Sequence, residues 1–452
     1  MKLKRFAVLT ILLTLLLGVL PAHADTELEV IINHDCQIVT LNRTESYLAN
    51  GAAVYISRPV TYLQAVDEEL NTVIDDYLQL LTPGLQALDR RTVSDDRLDV
   101  GVLYSQTGTS WLSFMIYARV TRGGTIVSTD FTTRTYDMLT GTAITLTTVF
   151  NENSDAWGIL EAGVRKAFLR YYPDMRCNTR VVAQMLRRDH LYKAEFTLHG
   201  MSLVLHYSAA LLFEGKSTII QVPFYYPELY GHMSDVAYEQ TDNGRYYSMV
   251  CLTYNDGPSR ASTPRVLNTL TENGVRASFF ISGSNIADTT ALVQRERDDG
   301  HSVGGQNWLN VDTSAWPVDA VCAIRTLVDD ALTETTGIPS AYNRAPGGIT
   351  QPLLDAKTGW ALIAWSVYAN DLTGIVPDAV AARVRAQTAD GDIILLHDTN
   401  ARCDVNTQLI IDSLKADGYL FLTVDEMFAK DRVPFLGNIV YYRCAGGDFS
   451  PK

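Results

Sequence analysis

The sequence is poor in basic residues and in histidine for its length. Of 452 residues, 37 are Lys or Arg, 51 are Asp or Glu and 8 are His, so the formal net charge is −14. Phosphate backbones repel an acidic chain, and this balance argues against nucleic acid as a partner. Charged residues make up only 19% of the chain and hydrophobic residues 47%, which is typical of globular domains and not of disordered chains.

Cysteine is scarce and widely spaced. No Cys-x-x-Cys pair occurs, which argues against a structural zinc cage. In an exported chain an even number permits up to three disulfides, but the sequence does not fix their pairing. We favour Cys403 with Cys444, because Cys444 lies in a C-terminal tail that a crosslink would tether; buried free thiols are the alternative. The cysteines are Cys36, Cys177, Cys251, Cys322, Cys403 and Cys444.

A single long apolar run occurs, and it lies at the N-terminus. Basic residues precede FAVLTILLTLLLGVL, and Ala22-His23-Ala24 then gives the small-x-small pattern that signal peptidase cuts. We therefore expect residues 1–24 to be a signal peptide; an uncleaved anchor is the alternative, although the run is short for a membrane span. No cysteine follows closely, and no second apolar span appears. The mature chain is expected outside the cytoplasm, secreted or wall-associated, with no membrane span.

Internal repeats and low-complexity linkers are absent. The chain is nevertheless too long for one ordinary core, so two or three domains are expected. Residues 25–235 contain segments with strand-like alternation, such as RLDVGVLYSQ and SFMIYARVT. Helical spacing interrupts them over residues 60–81 and again over residues 154–172. Strands with segregated helices predict an α+β domain.

The pattern changes after residue 247, where strand-like and helical segments alternate up to residue 430. MVCLTY, RASFFIS and DIILLHD are strand-like, and a long helix is predicted over residues 317–335. Such alternation predicts an α/β domain with parallel strands, closed as a barrel or left open, followed by a tail over residues 431–452. In such barrels the chemistry lies at the carboxyl ends of the strands. The polar residues expected there are Asn255, Asp256, Arg344, Asp371, His397 and Asp398.

Five segments that carry these residues resemble, in order, the motifs of the NodB-type polysaccharide deacetylases. TYNDGPS is similar to the family's Thr-Phe-Asp-Asp-Gly-Pro, and GHSVGGQNWLN resembles its Gly-His-x-x-Gly-Asn-His-x-x-x-His. NRAPGG, WSVYANDL and GDIILLHDT resemble Arg-Pro-Pro-x-Gly, Trp-x-x-Asp-x-x-Asp-Trp and Leu-x-His-Asp. The resemblance implies that residues 247–430 form this family's distorted (β/α) barrel.

The resemblance also implies a reaction, the metal-dependent removal of an acetyl group from a sugar amide. There a divalent metal activates water, an Asp is the general base and a His is the general acid. In this sequence the base position holds Asn255, an amide that cannot take a proton. The three metal-ligand positions hold Asp256, Gln306 and Asn310, so both ligand imidazoles are replaced.

The remainder of the family's apparatus is partly kept. The general-acid position holds His397, and the Arg that pairs with the base corresponds to Arg344. In the fourth motif Asp371 is present, whereas Tyr368 and Leu372 replace the first carboxylate and the final Trp. The resemblance thus assigns vestigial catalytic positions to His397, Asp371 and Arg344.

No metal is expected at these positions. Neutral amide oxygens suit hard cations in carboxylate-rich cages and do not suit Zn²⁺ held by three ligands. Replacement imidazoles are not close in sequence, because His301 and His397 are the only histidines after residue 247. A divalent metal such as zinc is expected only if the chain is an active enzyme.

These losses predict a catalytically degenerate protein that binds cell-wall glycan, either peptidoglycan or another N-acetylated polysaccharide. The expected sugar-binding residues are Asp256, Arg344, His397 and Trp308. The aromatic residues expected near the same rim are Trp308, Tyr342 and Trp365. One alternative is an active amide hydrolase with altered chemistry, using His397 and Asp371 without metal. A purely structural role for each surviving residue is another; Arg344, for example, would then neutralise Asp256 or Asp371.

The N-terminal region has a resemblance of its own. TYDMLTGTAITLTTVF and the strand-like FTLHGMSLVLHYS are similar to the domain of unknown function of RsiV-type anti-sigma factors. That domain also precedes deacetylase modules in exported proteins of the PdaC type, which implies cell-wall glycan as a ligand. RsiV-type proteins bind lysozyme through it, so lysozyme or another wall-associated protein is an alternative partner.

Overall fold

The computed structural model describes residues 38–87, 96–151, 154–309, 311, 313, 315–348, 350–355 and 357–451. Their strands are β1 Thr40–Tyr47, β2 Ala53–Val60, β3 Arg97–Thr107, β4 Trp111–Arg122, β5 Thr125–Asp137, β6 Thr142–Ala143, β7 Glu195–Leu198, β8 Ser202–Ser208, β9 Ile219–Tyr225, β10 Ser248–Asn255, β11 Ser278–Ile281, β12 Ser302–Gly305, β13 Ala361–Ile363, β14 Val367–Tyr368, β15 Asp392–His397, β16 Tyr419–Phe421 and β17 Ile439–Tyr441.

The helices of the same residues are α1 Gln64–Gln86, α2 Leu146–Val149, α3 Ala156–Arg170, α4 Thr179–Met185, α5 Arg188–Leu191, α6 Ala209–Leu212, α7 Tyr226–Leu229, α8 Asp235–Thr241, α9 Thr263–Glu272, α10 Gly283–Asp298, α11 Val318–Thr336, α12 Gln351–Asp355, α13 Pro377–Gln387, α14 Cys403–Ala416 and α15 Val424–Lys430. No helix among the described residues is both long enough and apolar enough to cross a membrane.

The first sheet has the order β1-β2-β3-β4-β5-β6, antiparallel except for the parallel pair β2 and β3. Helix α1 turns Val66, Leu70 and Ile74 inward, and this apolar stripe packs into the same buried cluster as the strands. Strand β4 is buried along nearly its whole length. A second antiparallel sheet, β7-β8-β9, contacts the first through the Ser113 hydroxyl, which accepts a hydrogen bond from the Leu198 amide at 2.8 Å.

The third sheet is parallel, with the order β12-β11-β10-β15-β14 and with β16 also paired to β10. Its central strands β11, β10 and β15 are mainly apolar and buried, as parallel strands covered on both faces require. Strand β10, for example, is buried from Met249 to Asn255. Helices α9, α10, α11, α13 and α14 contribute buried residues to the same core. The alternation predicted after residue 247 is therefore present as strands and crossover helices.

Single bridges extend the parallel sheet at its edge. Asn343 bridges Gly305 of β12 on one side and Leu362 of β13 on the other. The chain continues from β13 into β14, which pairs with β15. Bridges of Asn343 thus link β12 to β13, and β14 pairs with β15, while the chain itself joins β13 to β14.

Two predicted elements differ from the structure. The helix predicted over residues 60–81 begins only at Gln64, because Ala53–Val60 pairs with β1, and it continues to Gln86. Residues 439–441, predicted to lie in a tail, form β17 and pair in parallel with β13. A strand of three residues is too short for its alternation to be recognised in the sequence.

The proposed Cys403–Cys444 disulfide is wrong. Both are free and buried, as is Cys251, while Cys177 and Cys322 are free and half-buried. Cys403 begins α14, beyond the carboxyl end of β15, and its thiol faces the Ser262 carbonyl at 3.8 Å. The Cys444 amide donates to Gly391, just before the amino end of β15. The two residues thus lie at opposite ends of one strand. Cys36 is outside the described residues.

Candidate functional site

The candidate site lies where β10 and β15 end side by side. The parallel register pairs Asn255 with His397, so the last residue of each strand meets the other at the carboxyl edge of the sheet. Both side chains are buried, with exposed fractions of 4% and 7%. The expectation that polar residues after separate strands would converge is met here.

A tight turn follows β10 and presents Asp256. This residue has φ of 71°, and its carbonyl accepts a hydrogen bond from the Asn285 amide at 2.9 Å. At Gly257 a Cβ would lie 2.1 Å from the Asp398 carboxyl oxygen, so only glycine fits. Asp398 therefore packs beneath the turn, where the Thr263 hydroxyl donates to it. Burial raises the pKa of Asp398 to about 7.

One side of the site, which we name the acid side, consists of His397 and Asp371. The His397 Nδ1 lies 2.9 Å from Asp371 Oδ1, and the His397 backbone amide donates to Asp371 Oδ2 at 3.0 Å. Because a carboxylate oxygen accepts, Nδ1 carries the proton and Nε2 is left as the acceptor nitrogen. That nitrogen lies 3.9 Å from Asp256 Oδ2. The acid side thus holds an oriented imidazole that can accept or return a proton at Nε2.

The opposite side, which we name the amide side, consists of Asn255, Asp256 and Gln306. Arg344 Nη1 donates to Asn255 Oδ1 at 3.0 Å, so the Asn255 carbonyl oxygen takes a hydrogen bond where the family's base carboxylate would stand. The Gln306 Nε2 donates to Asp256 Oδ1 at 3.0 Å, and the Ser282 hydroxyl donates to Gln306 Oε1 at 3.2 Å. Asp256 Oδ1, the Asn255 oxygen and both ends of the Gln306 amide are thus engaged, while Asp256 Oδ2 faces His397 Nε2 at 3.9 Å.

Arg344 is a buried cation without a described carboxylate partner. It is 1% exposed, and its other donors go to the Thr253 hydroxyl at 2.8 Å and to the carbonyls of Ile363 and Ala364, each at 2.9 Å. The guanidinium also lies 3.9 Å from the centre of the Phe280 ring. Burial lowers the pKa of Arg344 to about 9. The suggestion that Arg344 neutralises Asp256 or Asp371 is wrong, because these acceptors use its donors instead.

The described residues do not fit a catalytic zinc ion. Gln306 turns its NH₂ group, a donor, towards Asp256 and its oxygen towards Ser282, whereas a metal ligand would present the oxygen. Zinc in catalytic sites takes three His, Asp, Glu or Cys ligands, and Asp256 is the one such residue at the ligand positions that the structure describes. No group of three or more His, Cys, Asp or Glu side chains within these described ranges is arranged to hold a metal. Asn310, the remaining ligand position, is outside them.

The aromatic residues predicted at the rim have different surroundings. Tyr342 is 2% exposed and donates to Asp425 at 3.0 Å, so it belongs to the core and was wrongly placed at the rim. Trp308 is half-buried, and its ring contacts the place where a side chain on Gly283 would be. Trp365 is also half-buried, 5.8 Å from the Arg344 guanidinium.

Two residues at the site were not predicted to take part. Tyr368 is 39% exposed, and its ring centre lies 6.5 Å from that of His397. Ser282 holds the Gln306 amide, yet it lies in a segment with no resemblance to a motif. Tyr368 could have been found as an aromatic side chain at the carboxyl end of a strand; nothing in the sequence marks Ser282. Exposed apolar side chains close to Tyr368 or Trp308 in sequence are Leu309, Trp316, Leu372 and Val376.

Comparisons with known proteins agree on one family. A family model described as polysaccharide deacetylase matches residues 243–358. Peptidoglycan-N-acetylglucosamine deacetylase PgdA of Listeria monocytogenes is 30% identical over 197 residues, which span 44% of this chain and 42% of that protein. A chitooligosaccharide deacetylase of a Bradyrhizobium species is 36% identical over 159 residues, spanning 33% of this chain and 70% of the relative.

Among solved structures, a family 4 acetyl xylan esterase from Clostridium thermocellum, in complex with a cobalt ion, is 27% identical. The match covers 43% of this chain and 98% of that one, with a TM-score of 0.41. The chain thus spans less than half the length of PgdA, the first relative named above.

Proposed function

Because the chain belongs to the polysaccharide deacetylase family, we propose that it binds cell-wall glycan without metal-dependent hydrolysis. The observation that carries this proposal is the hydrogen bonding of the amide side. There Gln306 donates to Asp256, and Arg344 donates to Asn255. Asp256 Oδ1, Gln306 and the Asn255 oxygen, which stand at ligand and base positions, are engaged with protein partners instead.

The chemical reason concerns water activation. Hydrolysis of an acetamide at neutral pH needs a nucleophilic water, and a metal and a general base together supply most of that activation. Asn255 cannot accept a proton from water, because an amide oxygen is not a base in this range. The acid side and the amide side together form a polar opening, which we name the mouth. It can still hydrogen-bond sugar hydroxyls and acetamido groups, which requires no change of protonation.

Tyr368 supports sugar binding at the same place. Its half-exposed ring lies next to His397, and an aromatic face beside hydrogen-bonding groups can pack against the apolar face of a sugar ring. The exposed Leu372 extends this surface. Trp308 contributes less to this surface, since part of its ring is buried against Gly283.

The proposal includes an architecture and a location. We assign residues 247–430 to a distorted barrel, supported by the Asn343 bridges between β12 and β13 and by the pairing of β14, which follows β13 in the chain, with β15. Residues 25–235 are assigned to a separate α+β module, and residues 1–24, outside the described residues, to a signal peptide. Export places the barrel at the cell wall, where the substrate named for the Listeria relative is found.

A second candidate function is supported by the acid side. His397 is oriented by Asp371 and leaves Nε2 free for proton transfer, so metal-free general acid–base chemistry at the mouth is the alternative.

The decisive experiment measures binding and turnover in the same samples. We expect chitotetraose or a peptidoglycan fragment to bind the full-length protein with unchanged affinity when EDTA is present, and no acetate to be released. The variant Tyr368→Ala should weaken binding about tenfold, because one stacked ring is removed. The control Tyr47→Ala removes a 68% exposed tyrosine on β1 and should bind as the wild type does.

The alternatives give different results in these samples. Acetate release that appears with added Zn²⁺ or Co²⁺ and disappears with EDTA would overturn the proposal. Acetate release that persists in EDTA and is lost in His397→Gln would establish the metal-free candidate instead.

A further inference from the structure

A second polar pocket lies away from the mouth, between the first sheet and the helices of the parallel sheet. Its volume is about 240 Å³. Strands β1 to β4 line one wall, and helices α9 and α10 line the other. We name it the arginine pocket, after the residues Arg43, Arg97, Arg119 and Arg295 that line it.

The arginine pocket has more positive than negative charge. Asp99 is the only carboxylate among the described lining residues, against four guanidinium groups. Counting carboxylates behind the lining adds Glu272 and Asp299, and Asp299 is shared by two arginines. The ion pairs are Arg43–Glu272 at 2.7 Å, Arg97–Asp99 at 2.9 Å, Arg119–Asp299 at 2.9 Å and Arg295–Asp299 at 3.0 Å. Asp298, also behind the lining, acts on Arg119 as well, so the excess of positive charge belongs to the residues that line the pocket and not to its wider surroundings.

Several donors of the pocket are unused. Arg119 is 2% exposed, and within the described residues its buried Nε has no acceptor. The Nε of Arg97 and the Oδ2 of Asp99 lie 2.9 Å apart as an ion pair without the alignment of a hydrogen bond, so one donor and one acceptor are incompletely used there. The buried Ser57 hydroxyl has no described partner. A buried donor left without an acceptor is costly, which points to a ligand that supplies acceptors.

The guanidinium groups are held in place by their surroundings. Arg119 lies over the Tyr117 ring at 4.8 Å, and Arg97 lies over the Tyr55 ring at 6.0 Å. Arg295 is fixed by Asp299 and by the Asn268 side chain at 2.9 Å. Arginines fixed in this way present planar forks that match the oxygens of a carboxylate or a phosphate.

Burial lowers the pKa of Arg43, and the nearby Arg295 lowers it further against the pull of Glu272. An incoming anion would relieve this repulsion. At Asp299 burial alone would raise the pKa, but Arg119 and Arg295 outweigh it and lower that pKa. Asp299 is therefore a fixed anion of the pocket and does not give up its charge to make room for a ligand.

We propose that the arginine pocket binds a small ligand through a phosphate or carboxylate group. The volume lies below the roughly 300–1,000 Å³ of pockets for drug-sized ligands, which restricts the ligand to a small anion or one anionic end of a larger molecule. The site draws residues from both walls, so its ligand also ties the first sheet to α9 and α10. It does not depend on glycan binding at the mouth.

The test uses the full-length protein, with inorganic phosphate and acetate as separate probes at constant ionic strength. We expect saturable heat of binding for at least one probe in the wild type. The double variant Arg43→Gln with Arg97→Gln should weaken that binding at least about tenfold, because two charged donors are lost. The control Arg58→Gln should not, since Arg58 lies on β2 and pairs with Asn71 and Asp75 of α1.

A second variant covers the case in which the double variant does not fold. Ser57→Asp adds a carboxylate to the wall and should abolish binding of the same probe. Binding of phosphate alone identifies a phosphate-bearing ligand, and binding of acetate identifies a carboxylate-bearing one. No saturable binding of either, or equal binding by wild type and Ser57→Asp, would overturn the proposal. Glycan affinity is measured in a separate titration of the mouth, so its loss or retention does not affect the result for the arginine pocket.

Discussion

The acid side and the amide side of the mouth are built on neighbouring strands but are stabilised in opposite ways. On the acid side, the ionisable pair His397 and Asp371 is intact, and one imidazole nitrogen remains open. On the amide side, the neutral amides at positions 255 and 306 hydrogen-bond to Arg344 Nη1 and to Asp256 Oδ1. The two sides therefore differ in what a ligand would meet.

The difference shows that losing a catalytic group need not leave a hole in the hydrogen bonding. An amide is nearly the size and shape of a carboxylate, but it adds donors and removes the negative charge. At position 255 the amide oxygen accepts from Arg344, and Gln306, which stands at an imidazole position, donates from Nε2 to Asp256. Such a site is stable as a binding surface, whereas a vacant metal site would leave like charges close together.

The largest effect is expected from converting the amide side into a metal site. The variant Asn255→Asp, Gln306→His, Asn310→His should bind Co²⁺ at least about a thousandfold more tightly than the wild type, because two imidazoles replace amides and complete a three-ligand set with Asp256, while Asp at 255 restores the base. Cobalt absorption in the visible range measures this. Adding histidines at the exposed residues Asn42 and Gln86 is the control and should change little. No uptake by the triple variant would mean that the motif register is wrong.

Next in size is the removal of Arg344. The variant Arg344→Leu should lower the free energy of unfolding by about 3 kcal/mol, because the Asn255 oxygen and two backbone carbonyls lose a buried charged donor. Urea denaturation measures this. Arg385→Leu, which breaks only an exposed pair with Asp417, should cost less than about 1 kcal/mol. Equal losses of stability in both variants would show that Arg344 does not stabilise the amide side.

A pH effect is expected from Asp398, beneath the turn that joins the two sides. Its pKa is about 7 in the folded protein and near 4 when unfolded, so the folded state binds more protons between these values. Its contribution to stability therefore falls as pH rises from about 4 to about 7. As pH rises from 5 to 8, the free energy of unfolding of Asp398→Asn should increase by about 2 kcal/mol relative to that of the wild type. Urea denaturation of both proteins at the two pH values measures this difference. No relative gain for Asp398→Asn would contradict the burial of a charged Asp398.

The smallest effect is expected from Asn255→Asp alone. The new carboxylate would meet the Arg344 guanidinium and raise the free energy of unfolding by about 1 kcal/mol at pH 7.5, since a buried cation gains a counter-ion. Asn42→Asp, on exposed β1, is the matched control. A loss of stability instead would mean that the carbonyls of Ile363 and Ala364 already compensate the charge of Arg344.

Much of the parallel sheet could be predicted from the sequence. The long helix predicted over residues 317–335 is Val318–Thr336, and the strand-like runs before and after it are strands. Because parallel strands end at one edge, the meeting of Asn255, His397 and Asp371 also followed from the sequence. Regular periodicity and a topological rule suffice for these features.

The partners of individual side chains could not be predicted in this way. The resemblance paired Arg344 with position 255, and it does donate to Asn255, but its bonds to the carbonyls of Ile363 and Ala364 had no signal in the sequence. Ser282 and the arginine pocket arise from residues far apart in the chain, and no local pattern links them. The cysteine pairing failed for the same reason, since the distance between two thiols depends on the whole fold.

Strand β17 has a consequence for the time at which this protein acquires its shape. Residues 439–441 complete their edge by pairing with residues 361–363, which the ribosome makes much earlier. Strand β13, which leads into the mouth, therefore has a pairing partner that is synthesised late. A nascent chain halted before residue 439 would lack this neighbour, so β13 cannot complete its pairing until that residue has been made.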